Sequence, residues 1–525
     1  MHNKSLLNDS TYIYMLNRFQ TFFCMLKTGL VCVIYKKSLG KYCIINTDKY
    51  KTLYKKVNVM GSQKNKISKR SIPVKLGEEY IITIQGMGNN GEGVGRYEDF
   101  TVFIPFTLPG EVIKTKITQY KKNYAVGRII EIIEAAPNRV VPKCDVYGTC
   151  GGCQLQHVSY EGQLALKTQK VRDIIARIAK MDPVMVEATL GAKQPWNYRN
   201  KMQMPVAGTA ENLKMGFYAM GSHDIVENFH CHIQMDLNNK LASVCYDIMT
   251  ELHIAPYDEL TGEGVVRHII GRVAPTGIMV IIVTAVKNLP QQETWVARIR
   301  ETIPEVTSIV ANYNPKNTNV IMGRECNVLW GASYIVDTIE DLTFRLSPHS
   351  FFQVNPVQTS VLYGKALEFA DLTGGETVVD AYCGTGTISL FMAHNAKKVI
   401  GIEIVEPAII DARNNAKSNG FTNTEFIVAD AAKAMPALYN KGVRVDVIVF
   451  DPIRAGCKEE VLRAAASMQP KRMVYVSCNP ASMARDIAIL DTLGYKTVKV
   501  QPVDMFPMTA HVETVTLLTK KEVTQ

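Results

Sequence analysis

Hydrophobic and polar positions along this chain follow two periods, and the change falls near residue 346. Over residues 71–135 the runs are short and β-like. Apolar and polar residues alternate from Ile72 to Gln85, and again in Thr101–Pro105, Glu111–Thr118 and Tyr124–Ile133. Gly86, Gly88, Gly91, Gly93 and Gly95 read as one glycine-rich turn, and Leu108-Pro109-Gly110 as another. Short strands broken by Gly and Pro predict a closed all-β barrel. Residues 136–345 are mixed and predict a central α+β domain. A helix is expected over Glu161–Lys180, with Leu164, Val171, Ile174, Ile175 and Ile178 on its apolar side and Lys and Arg elsewhere. Strands are expected at Gly277–Val286 and Val306–Ala311. Over residues 346–525, strand-like runs at Glu376–Asp380, Lys398–Ile402, Glu425–Val428, Asp446–Phe450 and Arg472–Ser477 alternate with helical stretches, and Thr514–Thr519 reads as the last strand. That alternation predicts an open parallel sheet whose ligands sit at the carboxyl ends of the strands.

Composition adds limits. The chain has 525 residues, 47% hydrophobic and 21% charged, which excludes collagen-like, mucin-like and largely disordered chains and leaves room for about three domains. The formal charge is +10, but residues 1–70 alone hold 14 of the 59 Lys/Arg and 2 of the 49 Asp/Glu. The body is therefore near neutral, and any nucleic-acid contact must come from local patches or the terminal segment. Lys114, Lys116, Tyr120, Lys121, Lys122, Tyr124 and Arg128 form one such basic-aromatic patch; Lys167–Arg177 is another basic stretch.

Residues 1–70 are expected to be a basic extension, poorly ordered or dispensable. Met60 stands as an internal start candidate, and a tail touching RNA is the rival reading. The run Thr21–Tyr35 is interrupted by Lys27 and too short for a membrane span. No signal peptide is recognisable, so the chain is expected in the cytoplasm with reduced cysteines.

Candidate chemistry gathers at three places. The strand Thr377–Asp380 runs into Ala381-Tyr382-Cys383-Gly384-Thr385-Gly386-Thr387, but Leu390 stands where a dinucleotide fingerprint needs glycine. Glu403, ending the next strand, suits a carboxylate on a ribose. Carboxylates at this turn favour a cationic ligand over a diphosphate and point towards S-adenosylmethionine. Second, Ser477-Cys478-Asn479-Pro480 sets a thiol at a strand end, and Glu513 lies just before the last strand. A nucleophile, a base and a methyl donor at one opening suit methylation of uracil C5, in which a thiolate adds at C6 and a base removes the C5 proton. Third, Cys144-x5-Cys150-Gly-Gly-Cys153 is a compact thiolate array, with Cys231 in FHCH as the best fourth ligand. Zinc and [4Fe–4S] are equally compatible with the spacing. Cys383 is expected to pack, and Cys24, Cys32, Cys43, Cys245, Cys326 and Cys457 are bystanders.

These residues resemble the RNA uracil-5-methyltransferase family, and specifically its 23S rRNA branch with an N-terminal TRAM domain. The resemblance spans about residues 72–525. It rests on GMGNNGEGVGRYEDFTVFIPFTLPGE, NRVVPKCDVYGTCGGCQLQHVSYEGQLALK, SFFQVNP, DAYCGTGTISL, GIEIVEPAI, VFDPIRAGC, SCNPASMARD and FPMTAHVE. It implies a TRAM/OB-like barrel at 71–135, a central domain with iron–sulfur cysteines at 136–345 and a Rossmann-like class I methyltransferase domain at 346–525. It implies Gln353, Tyr382, Glu403 and Asp451 around S-adenosylmethionine and substrate, Cys478 as nucleophile and Glu513 as base. It also implies Cys144, Cys150, Cys153 and Cys231 around a [4Fe–4S] cluster, with zinc as the lesser alternative. The implied partner is 23S ribosomal RNA, and the implied state is a monomer without membrane contact. Two positions depart from the family pattern: Ile453 where proline is frequent, and Ala510 in TAHVE. The alternatives are a tRNA uracil-5-methyltransferase, a methyltransferase acting on a base nitrogen, or an RNA-binding iron–sulfur protein with a relic fold. The uracil reading requires the Cys478 thiol and the Glu513 carboxylate to face one opening.

Overall fold

The computed structural model describes residues 72–522 throughout and, before them, the backbone of four strands. These are β1 (Thr11–Met15), β2 (Thr21–Leu26), β3 (Val31–Lys36) and β4 (Tyr42–Asn46), an antiparallel sheet in chain order. They belong to the first of two compact units, Met1–Ile72; the second is Pro73–Gln525. The sequence predicts a basic extension over residues 1–70, and its short apolar runs form these strands. The expectation for the Lys-rich stretch after Lys49 lies outside the described residues.

In the second unit, β5 (Glu79–Met87), β6 (Gly93–Tyr97), β7 (Phe100–Ile104), β8 (Val112–Tyr120) and β9 (Tyr124–Glu134) close into a barrel in the order β5-β6-β7-β9-β8. Ile82, Ile84, Val102, Ile104, Ile113 and Ile117 fill it. Period-2 alternation turns the lysines of β8 outward between these buried positions. The glycine-rich stretch is only partly the predicted turn. Gly93 and Gly95 lie inside β6, where a Cβ would come within 2.0 Å of Thr107 Oγ1 and 2.3 Å of Ile82 Cγ2 respectively. Glycine is required there by close approach across the barrel.

The central sheet takes the order β12-β11-β10-β13-β14-β15-β16. Its strands are β10 (Lys201–Gly208), β11 (Leu213–Tyr218), β12 (Ile225–Glu227), β13 (Val266–Ala274), β14 (Gly277–Thr284), β15 (Val306–Tyr313) and β16 (Glu325–Gly331). β13 and β14 are buried almost end to end, because both faces are covered. Helices Asp236–Glu251 and Gln292–Thr302 pack on one face. On the other lies the hairpin β17 (Ile335–Ile339) and β18 (Leu342–Leu346).

That second core runs on without a break into the C-terminal sheet, joining Met279 and Ile281 to Val378, Val399 and Val447. The C-terminal strands are β19 (Thr377–Asp380), β20 (Lys398–Glu403), β21 (Thr424–Val428), β22 (Val447–Phe450), β23 (Arg472–Ser477), β24 (Tyr495–Val503) and β25 (Glu513–Lys520). Their order is β21-β20-β19-β22-β23-β25-β24. The first five in the chain are parallel, and β25 runs antiparallel to both of its neighbours. The chain leaves β19 towards β20 on one side and later returns to β22 on the other, which opens a crevice at their carboxyl ends. No helix among the described residues is long and apolar enough to cross a membrane.

One helix ties the layers together. Ser159 caps Tyr160–Ile174 by accepting from Gly162 N, and a π-helical turn, Ile175–Ala179, ends it at left-handed Lys180. Its apolar side joins the core beneath the C-terminal sheet. Lys167, which the sequence pattern sets on the solvated side, is fully buried. Its Nζ lies 2.5 Å from Asp504 Oδ1 and donates to the Phe506 carbonyl at 3.1 Å, while Tyr160 Oη donates to Asp504 Oδ2 at 3.0 Å. The pair leaves Lys167 unable to attract RNA. Losing one partner strands a buried charge. Lys167→Met is expected to cost about 3–5 kcal/mol, read as a lower thermal midpoint. Adding Asp504→Leu should recover most of it.

Candidate functional site

A cleft of about 1690 Å³ opens over the carboxyl ends of β19, β20, β22 and β23, and all ten residues singled out from sequence line it. Its floor is the turn after β19, where Gly384 and Gly386 take left-handed φ of 52° and 84°. A Cβ on Gly386 would press to 3.1 Å from Ala412 Cβ, so glycine serves both the turn and the packing of the following helix. Asp380, at the end of β19, accepts from Ser389 Oγ at 2.6 Å through Oδ2. Its Oδ1 is buried without a partner, and burial raises the carboxyl to about 6. An unpartnered carboxylate oxygen in the lining of a cleft suits an ammonium or another cationic donor. Glu403 ends β20, and its Oε1 accepts from Ile404 N and Val405 N at 2.8 and 3.0 Å. The residues present therefore fit the cationic, ribose-bearing S-adenosylmethionine. Asp430, by contrast, spends its carboxylate capping the helix Ala431–Asn440.

Cys478 and Glu513 meet by register. β23 and β25 pair antiparallel up to Ser477 opposite Thr514, so one further step sets Cys478 against Glu513. Cys478 is half-buried and Glu513 is 3% exposed. Burial pushes Glu513 up to about 8, and the neighbouring Asp451 adds to it. Asp451, just past β22, is raised to about 7 by burial and by Asp380. The Cys478 thiol is raised to about 11 by burial, then by Glu513 and Asp451. Arg454 opposes the shift at both Cys478 and Glu513, and its Nη2 donates to His511 Nδ1 at 3.1 Å. Burial and the surrounding cations hold His511 near 4, so it stays neutral and can accept that bond.

Gln353 is buried in the cleft wall, next to Tyr363, which lines the same cleft. Tyr382 meets the buried thiol of Cys457. Tyr363 was invisible in the sequence, since a tyrosine on the helix Pro356–Ala370 has no spacing that ties it to Gln353. His511 and Arg454 were visible only inside their motifs.

The other wall carries Cys144, Cys150, Cys153 and Cys231. Burial raises Cys153 to about 12 and also lifts Cys150 and Cys231, with the other thiols of the group adding repulsion. Four converging thiols have the donor chemistry of a four-thiolate centre. Among the described residues, however, no three His, Cys, Asp or Glu side chains are arranged to hold a metal ion. The sequence expectation of a metal centre is thus not supported by the arrangement of these side chains. Met508 packs with Cys153, Tyr198 and Ile233, which joins this wall to the loop before Glu513. Cys245, Cys383 and Cys457 are buried, as packing residues are. On the barrel, Lys114 pairs with Glu79 at 2.9 Å, while Tyr120 and Tyr124 stand exposed.

Two family models match the chain, one described as tRNA (Uracil-5-)-methyltransferase over residues 324–521 and one as TRAM domain over residues 73–130. A protein of Halalkalibacterium halodurans, described as an uncharacterized RNA methyltransferase, is 50% identical over 457 residues, covering 87% of this chain and 100% of that protein. One of Clostridium tetani with the same description is 48% identical over 453 residues, covering 86% and 98%. Among solved structures, the Pyrococcus abyssi tRNA (uracil-54, C5)-methyltransferase in complex with S-adenosyl-L-homocysteine matches with a TM-score of 0.67 at 27% identity, over 84% of this chain and 99% of that one.

Burial makes Glu513 hold a proton more tightly in the folded protein, at about 8 against an ordinary 4.5. Between those values the native state carries more protons than the unfolded one, so stability falls as pH rises. Glu513→Gln is expected to raise the thermal midpoint at pH values above about 8, with the gap over wild type closing below about pH 5.

Proposed function

Since the chain belongs to the S-adenosylmethionine-dependent RNA uracil-5-methyltransferase family and carries an N-terminal TRAM domain, we propose that it methylates C5 of a uridine in 23S ribosomal RNA through a covalent adduct between Cys478 and C6 of the base. The observation that carries this reading is the opposition of Cys478 and Glu513 where β23 ends and β25 begins, inside the cleft that Asp380 and Glu403 also line.

S-adenosylmethionine, when bound, supplies the methyl group from a sulfonium. Asp380, Glu403 and Asp451 hold it by charge, and Gln353 and Tyr382 line the space between it and the base. Arg454 offsets the carboxylates around Cys478 and so favours the thiolate. The thiolate adds to C6 of an unstacked uracil, which leaves negative charge at C5 and O4. C5 then accepts the methyl group. Glu513 takes the C5 proton, the S–C6 bond breaks, and the thiolate returns. Glu513 needs its deprotonated form for that step. A cationic donor beside the Asp451–Glu513 pair favours that form.

The same reading gives Cys144, Cys150, Cys153 and Cys231 to a [4Fe–4S] cluster, with zinc as the alternative, in a structural role, because the reaction moves no electron. The exposed barrel face with Lys116, Tyr120, Lys121, Lys122 and Tyr124 serves as the RNA-binding surface. Transfer RNA is the second reading. It is favoured by the description of the matched family model and by the substrate that the name of the Pyrococcus abyssi enzyme gives; the cysteine array favours ribosomal RNA.

Mass mapping of rRNA and tRNA from cells with and without the gene tests both readings. Loss of a 5-methyluridine from 23S rRNA is the expected result; loss from tRNA alone moves the assignment there, and loss from neither sinks both. In purified protein, Cys478→Ala is expected to abolish methyl transfer, and Glu513→Gln to slow it by roughly 10²–10⁴. A wild-type rate in Cys478→Ala would overturn the adduct. Anaerobically purified protein is expected to carry about four irons per chain, and one zinc with no iron would replace the cluster.

A further inference from the structure

The loop between β24 and β25 ends at Glu513 and contains a left-handed non-glycine residue, Met508, with φ 68°. One of the elements that hold it from outside is a stripe of the helix Tyr160–Ile174. Tyr160, Gln163, Lys167 and Lys170 recur at helical spacing, and each spends its polar group on this loop. Tyr160 and Lys167 hold Asp504 and Phe506. Gln163 holds Met508, whose N donates to Gln163 Oε1 at 2.9 Å.

Lys170 differs from the other three because it also reaches the barrel. Its Nζ donates at 2.8 Å to the Ala510 carbonyl and at 2.8 Å to the Asn89 carbonyl in the barrel turn between β5 and β6. A second contact runs beside this bridge. Gly91, with φ +88°, lies so close that a Cβ there would meet Ala510 Cβ and Gln154 Cβ at 3.1 Å each. Ala510 also departs from the family pattern, and its small side chain admits the turn. Ala510 precedes His511, which bonds Arg454, and lies three residues before Glu513.

We propose that Lys170 is a positioning residue that makes the barrel turn part of the scaffold of the base: by bridging Asn89 and Ala510 it fixes the start of β25, so the barrel governs proton removal as well as RNA affinity. This rests on the cysteine-adduct reading. It predicts that loosening the bridge slows the step that needs Glu513 and leaves the earlier steps alone.

Replacing the C5 hydrogen by fluorine separates the two. Cys478 still adds at C6 and C5 still accepts the methyl group, but C5 then bears fluorine and methyl with no proton to remove, so the S–C6 bond persists. Transcripts of 23S rRNA and of tRNA are made with uridine or with 5-fluorouridine, and single-turnover rates are measured with each. Lys170→Met is expected to slow product release from uridine RNA roughly ten- to hundredfold. The covalent complex with 5-fluorouridine RNA should form within about twofold of the wild-type rate, because forming it draws on the nucleophile and not on proton removal by the base. Lys170→Arg, which keeps two donors, should restore turnover. Gly91→Ala, which pushes Ala510 from the barrel side, should reproduce the Lys170→Met pattern independently. Equal losses in both assays, or in neither, overturn the proposal. Absence of any complex in the wild-type protein instead refutes the cysteine adduct itself.

Discussion

The arrangement of the cleft depends on a buried ion pair. Lys167 and Asp504 are both fully buried and bonded to each other, at the root of the loop that leads into β25. That loop makes few hydrogen bonds within itself. It contains the left-handed Met508 and Pro507, and most of its backbone bonds run to other segments, the helix Tyr160–Ile174 among them. An apolar stripe on that helix would bury comparable area without fixing where the loop lies. A lysine and a glutamine accept only a few geometries, and the cost of desolvating them is offset by a defined register. Register is what the site needs, because a slip of one residue along β25 would turn Glu513 away from Cys478.

The electrostatics of the cleft follow from the same crowding. Asp380, Asp451 and Glu513 are all raised by burial, and each is raised further by a neighbouring carboxylate. Such a cluster weakens the fold near neutral pH. It also forms a region of unsatisfied negative potential that a sulfonium and an ammonium relieve. Arg454 is the internal cation that opposes the carboxylates at Cys478 and Glu513. Its position in DPIR, with exposed Ile453 beside it, keeps this function although the usual proline is absent.

Much of this was legible in the residues. The strands of the C-terminal sheet announce themselves through apolar runs ending in Asp380, Glu403, Asp451 and Cys478, because a buried parallel strand is apolar and its carboxyl end is where polar groups become useful. The edge strand β24 was not legible: Lys496, Lys499, Gln501 and Pro502 interrupt its apolar pattern, as suits an edge. Gly93 and Gly95 read as a turn because glycine signals turns more often than close strand packing. Lys167 read as a surface residue because its burial depends on Asp504, more than three hundred residues later, and no local period carries that information.

The cysteine wall extends the same logic across the cleft. Cys153, Tyr198, Ile233 and Met508 form one small apolar cluster, Tyr198 Oη donates to the Pro507 carbonyl at 3.1 Å, and Gln154 N and Leu155 N both donate to the Met508 carbonyl. The segment that carries Cys150 and Cys153 is therefore hydrogen-bonded directly to the loop before Glu513. Any group that draws the four thiols together must also set the position of Met508, and through it the start of β25. A centre at these cysteines, were one bound, would have a structural effect on the cleft. It would fix from one side the loop that Lys167 and Lys170 fix from the other.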